Sequence, residues 1–262
     1  MKKHKVFLII TSIAIFVVMI IFVAYDFYER AQSNRLVKEI NELTRTPDSE
    51  KHEIVNEIAR LTYKTKNLDK LSGYEFMRWI DLAPTTPMLT ACGRANYETV
   101  KLLIENGASV NYVKGSGSSP LSHVLLNSHF SEALDVAELL LENGADPNFK
   151  YFPDGGDDAD SIFYYHCRQM IALNDDSFER DTKSYKIIEL LLKYGADPNE
   201  KCAYDKGNTV LMLIAQKEGV NLDLFELLLS YGTDISIKND DGKTAYNLAV
   251  ESGNTAYLEM LF

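Results

Sequence analysis

Apolar residues are unevenly spread along the chain, and their spacing changes character twice. Residues 6–25, opening on Val6 and closing on Tyr25, read VFLIITSIAIFVVMIIFVAY without a charge. An α-helix rises ~1.5 Å per residue, so a stretch of this length crosses a hydrocarbon core of ~30 Å. Apolarity all round the helix leaves no face for water, which predicts an uncleaved membrane anchor rather than a buried core helix. A cleaved secretory signal is the competing reading, but its best cut, after Ala24, has the bulky Phe22 where a small residue belongs. From residue 26 the pattern turns amphipathic. Leu36, Ile40 and Leu43 recur at helical spacing behind Ser33, which is placed as a cap, and Ile54, Ile58 and Leu61 do so after Pro47-Asp48-Ser49. Ser72-Gly73-Tyr74-Glu75 has the form of a capping box opening a short helix through Phe76, Trp79 and Ile80. Residues 26–81 are therefore predicted to form a helical stalk and N-terminal cap, after a tip and anchor at 1–25.

Beyond residue 82 the chain repeats itself. Four segments align without gaps: LLIENGASVN from Leu102, LLLENGADPN from Leu139, LLLKYGADPN from Leu190 and LLLSYGTDIS from Leu227. Each reads as the end of an apolar helix followed by a glycine where the chain turns left-handed. The glycines, Gly107, Gly144, Gly195 and Gly232, recur at 37, 51 and 37 residues. A second motif opens each unit: TPMLTAC from Thr86, SPLSHVL from Ser119, TVLMLIA from Thr209 and TAYNLA from Thr244. The hydroxyl caps a helix, the next residue sits in its first turn where proline is welcome, and Ala91 and Ala249 allow close helix approach. Together these motifs resemble ankyrin repeats, units of about 33 residues with a turn and two antiparallel helices. The resemblance covers residues 82–262 as five repeats and implies an all-α solenoid of helix-turn-helix units with β-turn tips. The third repeat departs from the pattern: SIFYYHC from Ser161 matches the opening motif poorly. Insertions are placed at residues 151–160 and 174–183, with a smaller one at 130–134.

Charge narrows the partners. Twenty-seven Lys and Arg stand against 38 Asp and Glu, a net charge of −11, and an acidic chain repels phosphate backbones, so nucleic acid is not expected as a partner. Lys2, Lys3 and Lys5 precede the apolar stretch, which favours a cytoplasmic N-terminus and repeats on the periplasmic or extracellular side. Cys92, Cys167 and Cys202 are odd in number and include no C-x-x-C pair, so neither a disulfide scaffold nor a structural zinc cage is expected.

Catalytic patterns are absent from the sequence. Gly242-Lys243-Thr244 looks like the tail of a phosphate-binding loop, but Ile237 stands where its first glycine belongs. His166 and Cys167 are adjacent, which on a helix points them about 100° apart and spoils a nucleophile and base pair. The acidic run at residues 154–160, with Asp154, Asp157, Asp158 and Asp160, lacks the order of a helix-loop-helix calcium site. A solvated loop, a weak calcium site and a charged partner contact remain its three readings. No cofactor is expected.

The resemblance implies function by binding. Ankyrin stacks recognise proteins on a concave face built from turn tips and first helices. Carried onto this sequence, that face comprises Tyr112, Val113, Lys114, Phe149, Lys150, Tyr204, Asp205, Asp240, Asp241 and Lys243 at the tips. Arg94, Asn127, Gln216 and Glu251 join it from the first helices. Phe149, Tyr151 and Phe152 crowd one turn beside the acidic run and read as interface anchors. A membrane-anchored module for a protein partner is the main expectation. An immunity or accessory factor for a secreted toxin or enzyme is the alternative, and an enzyme built on the third repeat is the distant one.

Overall fold

The computed structural model describes residues 2–43, 45–46, 51–69, 85–112, 118–126, 132–151, 160–173, 183–217 and 222–260. Side chains are described from Ile15 onward, apart from those of Lys51, His52, Tyr151, Leu173, Lys183, Tyr204 and Leu222. Packing divides the chain into two units, Met1–Ser109 and Val110–Phe262.

The first unit begins with α1 (Lys2–Leu43), a single helix of 42 residues. No glycine or proline occurs between its ends, so nothing local interrupts the hydrogen-bond ladder. Ser33 therefore does not cap a second helix; it lies inside α1 and is fully buried. Glu29, Ser33, Leu36, Ile40 and Leu43 are all buried, and their alternating four- and three-residue spacing makes one face of the helix. Toward the N-terminus the character reverses, and Ile15, Phe16, Val18, Ile21 and Phe22 are each more than 60% exposed. Among the described residues no helix is long and apolar enough to cross a membrane; the described side chains enter the 6–25 stretch only at Ile15.

Helix α2 (Lys51–Lys64) buries Ile58, Leu61 and Thr62. It is followed in this unit by α3 (Pro87–Gly93) and α4 (Tyr97–Glu105). Thr86 caps α3 as expected, its hydroxyl oxygen accepting from the Leu89 N–H at 3.1 Å, with Pro87 in the first turn. Helix α1 packs on α2 and α3, and α2 packs on α4. The stalk region is thus a helix pair stacked, first helix on first and second on second, against the α3–α4 pair. The predicted capping box at Ser72 and the helix through Trp79 lie outside the described residues.

The second unit contains α5 (Pro120–Leu126), α6 (Ala133–Glu142), α7 (Ile162–Leu173), α8 (Lys183–Lys193), α9 (Val210–Ala215), α10 (Leu222–Ser230), α11 (Ala245–Ser252) and α12 (Thr255–Met260). Alternate helices carry the stack: α7 packs on α9 and α9 on α11 in one row, and α6 on α8 in the other. The core buries Leu140, Leu191, Ile188, Leu211 and Leu228 together with Phe163 and Tyr164, and the Phe225 and Tyr257 rings meet edge-on, 4.9 Å between centroids. The four motif glycines, Gly107 in the first unit and Gly144, Gly195 and Gly232 in the second, take φ between +81° and +92°, the left-handed turn that their position requires.

Two expectations change in detail. The all-α class acquires a short antiparallel ladder, β1 (Lys150–Tyr151) against β2 (Asp160–Ser161), which closes the base of the third-repeat insertion. The weak opening motif of that repeat works as a cap, since the Ser161 hydroxyl oxygen accepts from the Tyr164 N–H at 3.0 Å. Thr209, with the better motif, makes no such bond although its backbone is extended as a cap requires.

Candidate protein-binding surface

The turn tips of the second unit are registered by one asparagine per repeat. Asn111 donates to the Gly144 carbonyl at 2.7 Å and accepts from the Asp146 N–H at 3.0 Å. Asn148 does the same to Gly195 and Asp197 at 2.9 and 2.8 Å. Asn199 reaches Gly232 at 3.5 Å and Asp234 at 2.7 Å. A carboxamide can do this because it carries donor and acceptor side by side. In the first unit Asp69 keeps the acceptor half, taking the Ser109 N–H at 2.9 Å.

Between the first helices of repeats three and four the surface opens into a groove of about 270 Å³. Its walls are Arg168, Ile171 and Ala172 of α7 and Leu213, Gln216 and Lys217 at the end of α9, with Asp205 at the turn before it. The groove exists because α7 has 12 residues where α9 has 6. Both start directly after the hydroxyl residue of the opening motif, Ser161 or Thr209, so the surplus of α7 extends beyond the end of its neighbour. Lys217 fastens the overhang by donating from Nζ to the Ile171 carbonyl at 2.6 Å. At the other end of this wall Arg168 lies 3.9 Å from the buried carboxylate of Asp160. An apolar floor with both charge signs at the rim is the composition of a protein-binding cleft.

The predicted site residues are dispersed over the structure. Gln216 and Asp205 line the groove. Asp240, Asp241, Lys243 and Glu251 lie together near the fifth repeat, the Asp240 N–H donating to the Lys206 carbonyl at 2.9 Å and Lys206 pairing with Asp241 at 3.1 Å. Lys243 and Glu251 pair with each other at 2.7 Å, and that contact holds the Lys243 ammonium above its usual range. Tyr112 and Phe149 are half-buried, and exposed Lys150 pairs with Glu200, whose carboxylate also accepts from the Ser161 N–H. Arg94 belongs to the first unit, where its guanidinium meets Asn41 at 3.4 Å. Tyr151 is placed by β1 and Tyr204 by a 3₁₀ turn, their side chains outside the description. Val113, Lys114, Asn127, Phe152 and the acidic run up to Ala159 lie outside the described residues. Arg168, Ile171, Ala172, Leu213 and Lys217 were not foreseen; the signal was the 51-residue spacing, which marks a longer repeat without saying that a helix absorbs it.

The chemical candidates sit in the core. Cys167 is fully buried and its thiol is pushed well up by desolvation, the reverse of what a nucleophile needs. His166 is buried, its Nε2 has no hydrogen-bond partner among the described residues, and loss of solvation lowers it to about 4. Neither lines the groove. Of the acidic run, Asp160 is described and buried, and no group of His, Cys, Asp and Glu among the described residues could hold a metal.

Comparison with known proteins agrees with this architecture. The family model for ankyrin repeats (3 copies) matches residues 50–151 and 179–262, most of the chain. It starts ahead of residue 82, taking in α2, and skips the enlarged part of the third repeat. The chain belongs to the ankyrin-repeat family. Its relatives include ankyrin repeat protein L86 of Acanthamoeba polyphaga mimivirus, 31% identical over 148 residues, which are 54% of this chain and 24% of that protein. Ankyrin repeat protein FPV232 of Fowlpox virus is 30% identical over 200 residues, 72% of this chain and 38% of the relative. Cyclin-dependent kinase 4 inhibitor B of Rattus norvegicus is 41% identical over 61 residues, 23% of this chain and 43% of that protein. The matched segment therefore spans less than half the length of each relative.

Proposed function

We propose that this chain is a membrane-anchored recognition module, held by residues 6–25, whose repeats bind a protein partner through the groove between α7 and α9 and the adjoining tips. The groove carries the reading: its apolar floor lies on the row of first helices, the face on which ankyrin folds present variable residues, and it is bordered by Arg168, Lys217 and Asp205. A partner side chain seated there loses water on an apolar floor while its polar neighbours meet the rim, the division of labour found in interface hot spots. The anchor is supported by twenty uncharged residues in sequence and by the exposure of Ile15, Phe16, Val18, Ile21 and Phe22 around α1. Lysines ahead of the span put the repeats on the far side of the membrane from the N-terminus.

A photo-crosslinking residue at Gln216, compared with one at Glu189 on the second-helix row, tests the reading. Crosslinking to one partner from position 216 and none from 189 is expected. Ala172→Arg, which fills the groove from an exposed position, is expected to abolish that crosslink with the melting temperature unchanged. Tyr151→Ala with Phe152→Ala is expected to weaken it. Undiminished crosslinking in a folded Ala172→Arg chain moves the site off the groove.

A further inference from the structure

Residue 25, the last of the apolar stretch, is separated from the first buried residue of the helix stack by one helical turn. Tyr25 and Glu29 lie about 6 Å apart along α1 at ~1.5 Å per residue, and no glycine or proline intervenes. The Glu29 carboxylate is buried against the stack and accepts from the Asn67 N–H at 3.2 Å. Arg35 meets Glu57 at 3.0 Å. Higher numbers on α1 thus face lower numbers on α2, so α2 runs back toward the anchor and delivers its C-terminal end to the level of Glu29. The next turn follows suit, because Asp69 holds the Ser109 N–H at the end of the following repeat.

This geometry sets a depth. The polar layer of a bilayer adds roughly 5 to 7 Å on each side of its hydrocarbon core. A turn about 6 Å beyond the end of the span stands inside that layer. What the turn edge presents suits the place: Lys64 and Lys66 are exposed, and Tyr63 is 86% exposed. On α1 itself Tyr25, Phe27 and Tyr28 are about half exposed, in the position where aromatic side chains collect at membrane boundaries.

Resting on the anchor reading above, we propose that the edge formed by Tyr63, Lys64, Lys66 and the Asn67-Leu68-Asp69 turn is a lipid-contacting surface. The unbroken α1 holds it in the headgroup layer of the membrane it spans, and the two lysines meet phospholipid phosphates. The first unit is therefore mounted on the bilayer with its turn edge down, and is not carried on a flexible tether.

The test uses the full chain reconstituted in vesicles of phosphatidylcholine and phosphatidylglycerol that carry a nitroxide on the choline group. A fluorophore is attached at Lys66→Cys or at Glu53→Cys, which lie about 20 Å apart along α2 and the turn that follows it; the three native thiols are buried. Headgroup quenching is expected to be several-fold stronger at position 66 than at 53. Insertion of Gly-Ser-Gly-Ser after Phe27 is expected to erase the difference while the chain stays with the vesicles. Equal quenching at both positions in the uninterrupted chain, or a difference that survives the insertion, overturns the mounting. Release of the uninterrupted chain by carbonate overturns the anchor reading, and the proposal with it.

Discussion

The third and fourth repeats are built on the same joints and end differently. Each has an asparagine at its tip bonded to the next glycine carbonyl and the next aspartate N–H, Asn148 in one and Asn199 in the other. Yet α7 is twice as long as α9. Register in this stack is therefore held at the tips, and the far ends of the first helices are free to change length. Loop closure costs grow slowly with length, so residues added away from the joints disturb stability little. The added length turns a smooth row of helices into a groove.

The largest effects should ignore this difference. Leu140 and Leu191 are both fully buried, one in the regular second repeat and one in the enlarged third. Leu140→Ala and Leu191→Ala are each expected to cost about 2 to 5 kcal/mol in denaturant unfolding. A much smaller loss at Leu191 would mean that the third repeat packs loosely.

Next in size is an effect confined to the third repeat. His166 occupies the place, five residues after the cap, that Ala91, Val124, Ile214 and Ala249 fill elsewhere. Burial lowers its pKa to about 4 against an ordinary 6.5. Between those values the unfolded chain takes up a proton that the native chain refuses, so stability is full above pH 6.5 and declines as pH falls toward 4. The loss reaches on the order of 3 kcal/mol, at 1.36 kcal/mol per unit. Melting temperatures across that range should drop for the native sequence, and His166→Val should remove His166's share of the slope.

Smaller effects probe the joints. Gly195 has φ +92° and open space where a Cβ would stand, so the backbone strain of Gly195→Val should cost about 1 to 2 kcal/mol. Asn148→Ala and Asn199→Ala each remove exposed tip bonds and should cost about 1 kcal/mol, equally in the two repeats. A clear inequality in thermal unfolding would show that the insertion has altered the joint.

Much of this architecture is legible in the sequence. The LLxENG, LLLKYG and LLLSYG ends predicted four left-handed glycines, and each is one, because helix termination is local chemistry. Thr86, Ser119 and Thr244 predicted caps for the same reason; the Ser119 hydroxyl oxygen accepts from Ser122 at 3.1 Å and Thr244 forms a full capping box. The helix pair α1–α2 was harder to read, since Asn67-Leu68-Asp69 keeps only the acceptor of the tip asparagine and none of the motif around it. Ser33 misled because its favourable identity as a cap meant nothing without a break in the helix before it. The groove was illegible for a different reason. It depends on two helices being compared in space, and spacing along the chain does not say which element takes up extra residues.

All three cysteines are buried, and desolvation drives the Cys92 and Cys167 thiols well above their usual range. Disulfide exchange proceeds through the thiolate, so in the folded chain Cys92 and Cys167 offer almost none of the reactive species, and Cys202 is kept from solvent by burial. In an oxidising compartment the molecule keeps its thiols without needing to pair them, and two copies meeting there do not crosslink. Oxidation becomes open to it only when a repeat comes apart, which makes each thiol a witness to the opening of its own part of the stack.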